Sequence, residues 1–248
     1  MIMNKTLGII GFGRFGQLIA KHLKYHLLVY VSDCLDKSKI AKEIGVVFTS
    51  VEECAKKDIV ILCVPISKFE SVLNQIIPQL KRNATVLDVC SVKEKPCKFM
   101  NEYVSKSNCC IGAHPLFGPD TAKNGLKDKK IVLCPISSTQ KISKITNFLN
   151  QIGLDVIITD PQNHDIEMAK SLALIHFLGR GLNKINVQDV KLATPTHEMF
   201  VELVNIVKND SEQLFKDMQA HNKFARKIRK TLIEELTRID GELDGIIC

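Results

Sequence analysis

His114 and Ser91 are the side chains best suited to move a proton. His114 lies in Gly112-Ala113-His114-Pro115-Leu116-Phe117-Gly118-Pro119-Asp120. Two prolines and a glycine make such a stretch stiff and non-helical, a good way to hold one imidazole. With an unperturbed pKa of about 6.5, imidazole can take a hydroxyl proton as hydride leaves the carbon that bears it. The plainer use of His114 is a structural ring bonded to backbone. Ser91, in Asp88-Val89-Cys90-Ser91-Val92-Lys93, could donate to or accept from the same hydroxyl. Its plainer use is to cap a helix that begins near Lys93 and Glu94.

A hydride needs an acceptor, and Gly11-Phe12-Gly13-Arg14-Phe15-Gly16 supplies the cradle for one. The apolar stretch 6–10 before it reads as a buried strand, 17–23 after it as a helix, and 27–31 as a second strand that ends at Asp33. A G-x-G-x-x-G in this setting, with an acid about twenty residues on, is the dinucleotide fingerprint. Gly11 permits the tight turn, Gly13 admits a pyrophosphate, and Gly16 lets helix and strand pack. Helix N–H groups then face the phosphates. Asp33 can accept from both ribose hydroxyls and would repel a 2′-phosphate, so NAD is expected over NADP. Val64-Pro65, at the end of another apolar strand, could floor the adenosine or ribose.

The remaining histidines are less telling. His22 and His26 have metal-like i,i+4 spacing but sit at a helix end, where histidine favours the dipole, and no metal site is expected. His176 and Arg180 stand one turn apart on a helix and could together meet a substrate carboxylate, or form a surface or interface pair. His164 lies three turns earlier, offset by about a third of a turn, so it need not share that site.

The elements that must position these groups alternate between strand and helix through the first two-thirds of the chain. Expected helices are 37–44, 69–80, 95–104 and 138–151; expected strands are 46–48, 58–63, 84–89, 109–112, 130–134 and 155–158. The strand at 58–63 is apolar throughout, as a two-sided parallel sheet demands, and the alternation predicts a doubly wound sheet. The texture changes at Asp160-Pro161, a helix-start signal. Helices are expected over 162–186, 196–207 and 211–238. About ninety residues of helix make a thin core, so packing on the first domain and on a second subunit is expected.

The bulk numbers agree with this reading. Of 248 residues, 45% are hydrophobic and 25% charged, ordinary for a soluble globular protein. No apolar run is long enough to span a membrane, and residues 1–10 are too short for a signal peptide before glycines and Arg14 intervene. Nine cysteines without C-x-x-C point to buried, reduced thiols and a cytoplasmic setting. The net charge of +7 has its densest cluster at Lys223, Arg226, Lys227, Arg229 and Lys230. Glu234 and Glu235 follow, which makes it a solvated helix face rather than a nucleic-acid surface. A positive surface would also draw in a small anionic substrate.

On these residues the chain resembles the prephenate/arogenate dehydrogenase family of tyrosine biosynthesis. The resemblance rests on Gly11–Gly16, on the segment from Asp88 to Glu94, on His114 to Asp120 with Lys123-Asn124-Gly125, and on His164-Asp165 followed by His176 to Arg180. It spans nearly the whole chain, and Lys123-Asn124-Gly125 resembles the plant-type arogenate branch. It implies a Rossmann-like, mainly parallel α/β domain (1–159) and an all-α substrate and dimerisation domain (160–248). It implies hydride transfer from the ring carbon bearing the 4-hydroxyl to NAD(P)+ with loss of the ring carboxylate as CO2. By position His114 matches the residue that takes or holds the 4-hydroxyl proton, and Ser91 its hydrogen-bonding neighbour. His164 and His176 match histidines near the active-site cleft. Two positions depart from the pattern: Leu172 replaces a common Gln, and Asn205 falls where bacterial prephenate enzymes carry a substrate-binding Arg. The missing Arg favours arogenate. The plant-type enzymes usually carry a polar or basic residue where Asp33 and Cys34 stand, which again favours NAD. The expected protein is thus a homodimeric oxidoreductase joined through its C-terminal helices, with arogenate or prephenate as substrate. The alternatives are a dehydrogenase of another hydroxy acid and a catalytically silent NAD-sensing protein.

Overall fold

The computed structural model describes residues 5–104, 106–136 and 139–247. The expected readings at residues 1–4 and the expected helix start at Ser138 lie outside the described residues. The chain divides into two compact units, Met1–His164 and Asp165–Cys248; the division falls inside a helix, a few residues after Asp160-Pro161.

The first unit is built on an eight-stranded sheet. Its strands are β1 (Thr6–Ile10), β2 (Leu28–Ser32), β3 (Val47–Phe48), β4 (Ile59–Leu62), β5 (Thr85–Asp88), β6 (Cys109–Pro115), β7 (Lys129–Pro135) and β8 (Leu154–Ile158). They lie in the order β3-β2-β1-β4-β5-β6-β7-β8. All neighbours are parallel except β6 and β7, so the sheet is the doubly wound one expected. Helices α1 (Arg14–Leu23), α2 (Ser38–Ile44), α3 (Val51–Ala55), α4 (Ile66–Ile76), α5 (Glu94–Tyr103) and α6 (Thr139–Gln151) form the crossovers. The sheet has a separate apolar core on each face. One gathers Leu7, Ile9, Val29, Leu87, Ile111 and Leu133; the other gathers Val60, Leu62, Phe69, Leu73, Val86 and Met100. That is why β4 is apolar at every position. A cavity of about 110 Å³ opens in the first core among Leu18, Phe148, Leu149 and Ala113.

Three departures from the expected elements have local causes. The short helix α3 is capped by Ser50, whose hydroxyl accepts from Glu53 N–H at 3.2 Å, a signal too brief to stand out by periodicity. The helix expected over 69–80 starts at Ile66, directly after Pro65, and tightens into a 3₁₀ turn at Ile77–Gln79. Strand β6 does not stop at Gly112 but continues to Pro115, because β7 returns antiparallel and pairs Val132 with His114 and Ile131 with Pro115. His114 therefore stands on a paired strand rather than on the stiff loop beyond it.

The second unit is helical. It takes up the chain from Asp165 within helix α7 (Pro161–Met168), a π-helical turn follows at Ala169–Ala173, and α8 (Leu174–Lys184), α9 (Pro195–Lys208), α10 (Glu212–His221) and α11 (Ala225–Ile247) complete it. The helix expected over 162–186 is thus interrupted. The π turn breaks the regular count on which the offset between His164 and His176 rested. The helix expected over 211–238 is broken at Asn222, whose amide donates to the Asp165 carbonyl at 2.7 Å and whose Oδ1 accepts from Phe224 N–H at 2.9 Å. Gly179 lets α8 approach α9: a Cβ there would lie 3.2 Å from Val207 and 3.3 Å from Leu203.

Candidate active site

The sheet register aligns the carboxyl ends of five strands. Ile10 pairs with Ser32 and with Leu62, Leu62 with Asp88, and Asp88 with Gly112. Gly11, Asp33, Val64, Ser91 and His114 all lie one to three residues beyond that row. Adjacent parallel strands are about 4.8 Å apart, so the register alone brings these residues to one edge. The strand order turns at β1 and β4, the switch point at which doubly wound sheets bind their ligands.

At the switch point the glycine loop has the shape a dinucleotide needs. Gly11 has φ +96°, and a Cβ on it would meet the Cys63 carbonyl oxygen at 2.3 Å. A Cβ on Gly16 would meet the Gly11 carbonyl oxygen at 2.1 Å, whereas one on Gly13 would meet nothing within 4 Å. Gly11 and Gly16 are therefore required by packing, and Gly13 leaves open the side from which a pyrophosphate would approach. Gly13 occupies the cap position of α1 without a side-chain cap, leaving the first helical N–H groups to an anion. Val64 packs against Gly11, Pro65 caps α4, and the Phe15 ring lies 6.3 Å from that of Phe117. Arg14 reaches across to Asp120 at 2.7 Å.

Asp33 is more heavily engaged than expected. It accepts from Phe12 N–H at 2.7 Å and Leu35 N–H at 3.1 Å, and pairs with the Lys37 ammonium at 2.9 Å. Its pKa is lowered by those hydrogen bonds and by the Lys37 charge, against an opposing effect of burial. Lys37 also donates to the Phe12 carbonyl at 3.1 Å. Ribose hydroxyls would have to take the place of Lys37 at that carboxylate. Its i,i+4 spacing from Asp33 was the available signal for this pair.

The next strand ends lead to Ser91 and His114. Ser91 is 7% exposed, and among the described residues its hydroxyl has no hydrogen-bond partner. Helix α5 begins at Glu94 with Lys93 in the cap position and no side-chain cap, so Ser91 does not cap it. His114 is 6% exposed, and its Nδ1 lies 2.8 Å from Nε2 of His164, with the rings edge-on at 5.0 Å. Burial, then the neighbouring His164, then Lys93 push the His114 pKa well below its usual value. The ring is neutral near pH 7, the form a general base requires. Asp160 anchors the start of α7 by accepting from Gln162 and Asn163 N–H at 3.0 and 2.9 Å, and α7 delivers His164. The pair that sequence reasoning passed over is Asp88 and Lys93. Both are fully buried, in contact with one another, and Lys93 also donates to the Ala113 carbonyl at 2.6 Å.

His176 and Arg180 belong to the helical unit. His176 is 4% exposed, with Nε2 3.5 Å from Asp210, and burial followed by the Arg180 charge pushes its pKa down to about 4. Its Nδ1 has no hydrogen-bond partner among the described residues. Arg180 is held by Glu212, by the Asp210 carbonyl at 3.2 Å and by the Phe215 ring at 4.5 Å. It meets a substrate carboxylate only by exchanging Glu212 for it.

Fold and strand-end geometry together define a nucleotide-binding α/β unit with a buried imidazole beside the crevice. Residues 18–158 match the family described as "Prephenate dehydrogenase, nucleotide-binding domain", and residues 181–246 match a "TYRAAT1-like, C-terminal domain". The "Probable arogenate/prephenate dehydrogenase" of Methanocaldococcus jannaschii is 32% identical, over 95% of this chain and 56% of its own length. "Arogenate dehydrogenase 2, chloroplastic" of Arabidopsis thaliana is 28% identical, over 97% of this chain and 68% of its own. A solved structure of prephenate dehydrogenase from A. aeolicus, in complex with hydroxyphenyl propionate and NAD+, superposes with a TM-score of 0.77 at 22% identity, covering 98% of this chain and 91% of that one. The chain belongs to the prephenate dehydrogenase family. It spans little more than half the length of the archaeal relative.

Proposed function

We propose that the protein oxidatively decarboxylates arogenate or prephenate with NAD+, giving tyrosine or 4-hydroxyphenylpyruvate. The observation that carries this reading is the buried, neutral His114 held at Nδ1 by His164. If His114 donates its Nδ1 proton to His164, Nε2 keeps the lone pair that takes the 4-hydroxyl proton of the ring. Ser91, buried without a partner, is suited to bond the same hydroxyl and fix its direction. Gly11, Phe12, Gly13, Arg14, Phe15, Gly16, Asp33, Val64, Pro65 and Ser91 would hold NAD, whose part is to accept the hydride that leaves the ring carbon as CO2 departs and the ring becomes aromatic. His164, His176 and Arg180 are assigned to the substrate, the last two toward its side-chain carboxylate. Asn205, where bacterial prephenate enzymes carry a substrate-binding Arg, favours arogenate.

The unit of function is proposed to be a homodimer joined through its C-terminal helices. On α11 the residues Leu232, Leu236, Ile239, Leu243 and Ile246 repeat at four- and three-residue spacing, and the last four are 45–76% exposed. That is the seam of a helix that packs on another. A cytoplasmic location suits the eight free thiols among the described residues; among those residues no helix is long and apolar enough to cross a membrane. The test is NADH production from arogenate, prephenate and simple 2-hydroxy acids, each with NAD+ and NADP+. Turnover of a ring substrate with NAD+ is the expected result; turnover of the simple hydroxy acids alone, or of none, overturns the reading.

A further inference from the structure

We propose that Lys93 is a positioning residue for His114, holding from beneath the peptide on which the imidazole is mounted. This rests on the reading of His114 as the base. Successive residues of a strand face opposite sides of the sheet, and Ala113 faces the core cavity against α1 and α6. Gly112 and His114 therefore face the other side, where α5 lies. Gly112 has no side chain because Lys93 occupies its place: a Cβ there would come within 3.3 Å of Lys93 Cδ and of Asp88 Oδ2, and within 2.4 Å of Cys97 Sγ. The lysine stem thus runs over Gly112, and its ammonium ends on the Ala113 carbonyl, one half of the peptide bond that joins Ala113 to His114.

A buried ammonium is costly unless it is paired and hydrogen-bonded. Asp88 satisfies that need. Its Oδ1 accepts from Lys93 and, at 2.9 Å, from Cys90 N–H, so the same carboxylate fixes the turn that leads to Ser91. One ion pair therefore ties both proton-moving residues to a single rigid point. Neither Lys93 nor Asp88 faces the crevice, since both are fully buried. Their role is carried through the backbone of 113–114 and of 88–91.

The fixed charge has a second consequence. The groups that bear on the His114 ring are His164 from α7 and Lys93 from the turn before α5, with Asp88 and the Cys97 thiol beside Lys93 and the unpartnered Ser91 hydroxyl on the same turn. Lys93 is among the causes that keep the ring below its usual pKa. Removing the ammonium therefore moves the His114 titration upward.

Lys93→Met alone leaves Asp88 buried without its counterion, so the test uses Asp88→Asn together with Lys93→Met, which removes both charges at similar volume. The ring titration of His114 is followed by NMR, and turnover with the better ring substrate is followed against pH. In the double variant we expect the His114 midpoint to move upward, the acid limb of kcat/KM to move with it, and kcat to fall by about 100-fold, the cost of a small misplacement. NAD+ binding should change by less than about threefold. A folded double variant with native kcat and an unmoved His114 midpoint overturns the proposal. If the double variant does not fold, the native protein decides. The Lys93 ¹³Cε resonance should shift at the midpoint of the His114 ring, and an indifferent Lys93 resonance overturns the proposal. A native protein that turns over neither ring substrate defeats the functional reading, whereas the NMR titration still decides the role of Lys93.

Discussion

The two units place their buried polar groups by different means. In the sheet unit, strand register sets Asp88 and His114 at the ends of adjacent strands: Asp88 is paired on both sides, His114 with Val132 of β7, and Ser91 and Lys93 follow in the turn after Asp88. In the helical unit, His176, Arg180, Asp210 and Glu212 are held by side-chain contacts, Arg180 to Glu212 and the Asp210 carbonyl and His176 to Asp210, with no strand pairing behind them. The first unit also closes its apolar cores on both faces, whereas the second leaves Leu236, Ile239, Leu243 and Ile246 open along one helix. The difference divides the labour. A site that must hold a proton acceptor to a fraction of an ångström belongs on paired strands; a surface that must adapt to a substrate tail or to a second subunit can be carried by helices.

The sharpest test of that division is His114→Asn. The substitution keeps the size of the ring nitrogen's neighbour but removes a base. It should lower kcat by about two to four orders of magnitude with NAD+ binding retained. Native turnover in this variant would move the chemistry off the strand ends. Next in size is the open helix face. Leu236→Lys with Leu243→Lys places two charges in the α11 seam and should convert a dimer to a monomer in light scattering while leaving the nucleotide unit folded. An unchanged mass would mean that the seam is not what joins the subunits.

A smaller effect tests how His164 tunes its neighbour. His164→Asn removes the nearby ring that helps to hold down the His114 pKa, so the acid limb of kcat/KM should move up in pH. The sign follows from that effect: without the neighbour that lowers it, the His114 pKa rises, and the base is then protonated at a higher pH. A limb that stays or moves down would separate His164 from the base.

Much of this was legible in the sequence where a single rule governs. The glycine loop, the apolar central strands and the Asp160-Pro161 start signal each follow from local chemistry, and the sheet carries them as read. What was missed depends on partners remote in sequence. The length of β6 is set by β7, some twenty residues on, so His114 was read as a loop residue. Ser91 was offered a helix cap, but α5 begins three residues later, at Glu94, and the serine stays unpaired. Asp88 reads as part of a strand and Lys93 as the start of a helix. Only the fold reveals that they bury each other beneath the Ala113 carbonyl. The break in the first long helix is a π turn of Ala, Lys, Ser and Leu, residues that fit an α-helix equally well.

The smallest effect concerns the buried histidine of the helical unit. In the folded protein His176 titrates near pH 4, against 6.5 for a free ring. Between those values the unfolded chain binds a proton that the folded chain does not. Stability therefore falls as the pH drops from 6.5 to 4 and is unaffected by this group above 6.5. The full window corresponds to at most about 3 kcal/mol, and Asp210 at 3.5 Å offsets part of it by favouring the charged ring. His176→Asn should flatten the fall in Tm between pH 6.5 and 4, raise KM for the ring substrate and leave kcat within about tenfold of native. His114 also resists protonation by burial, so His114→Asn should flatten the same slope. The two variants then differ in turnover and agree in acid stability, which is the outcome expected if both units bury a neutral ring but only the strand-end ring does chemistry. A His176 variant that loses turnover as deeply as the His114 variant would erase the distinction between the units.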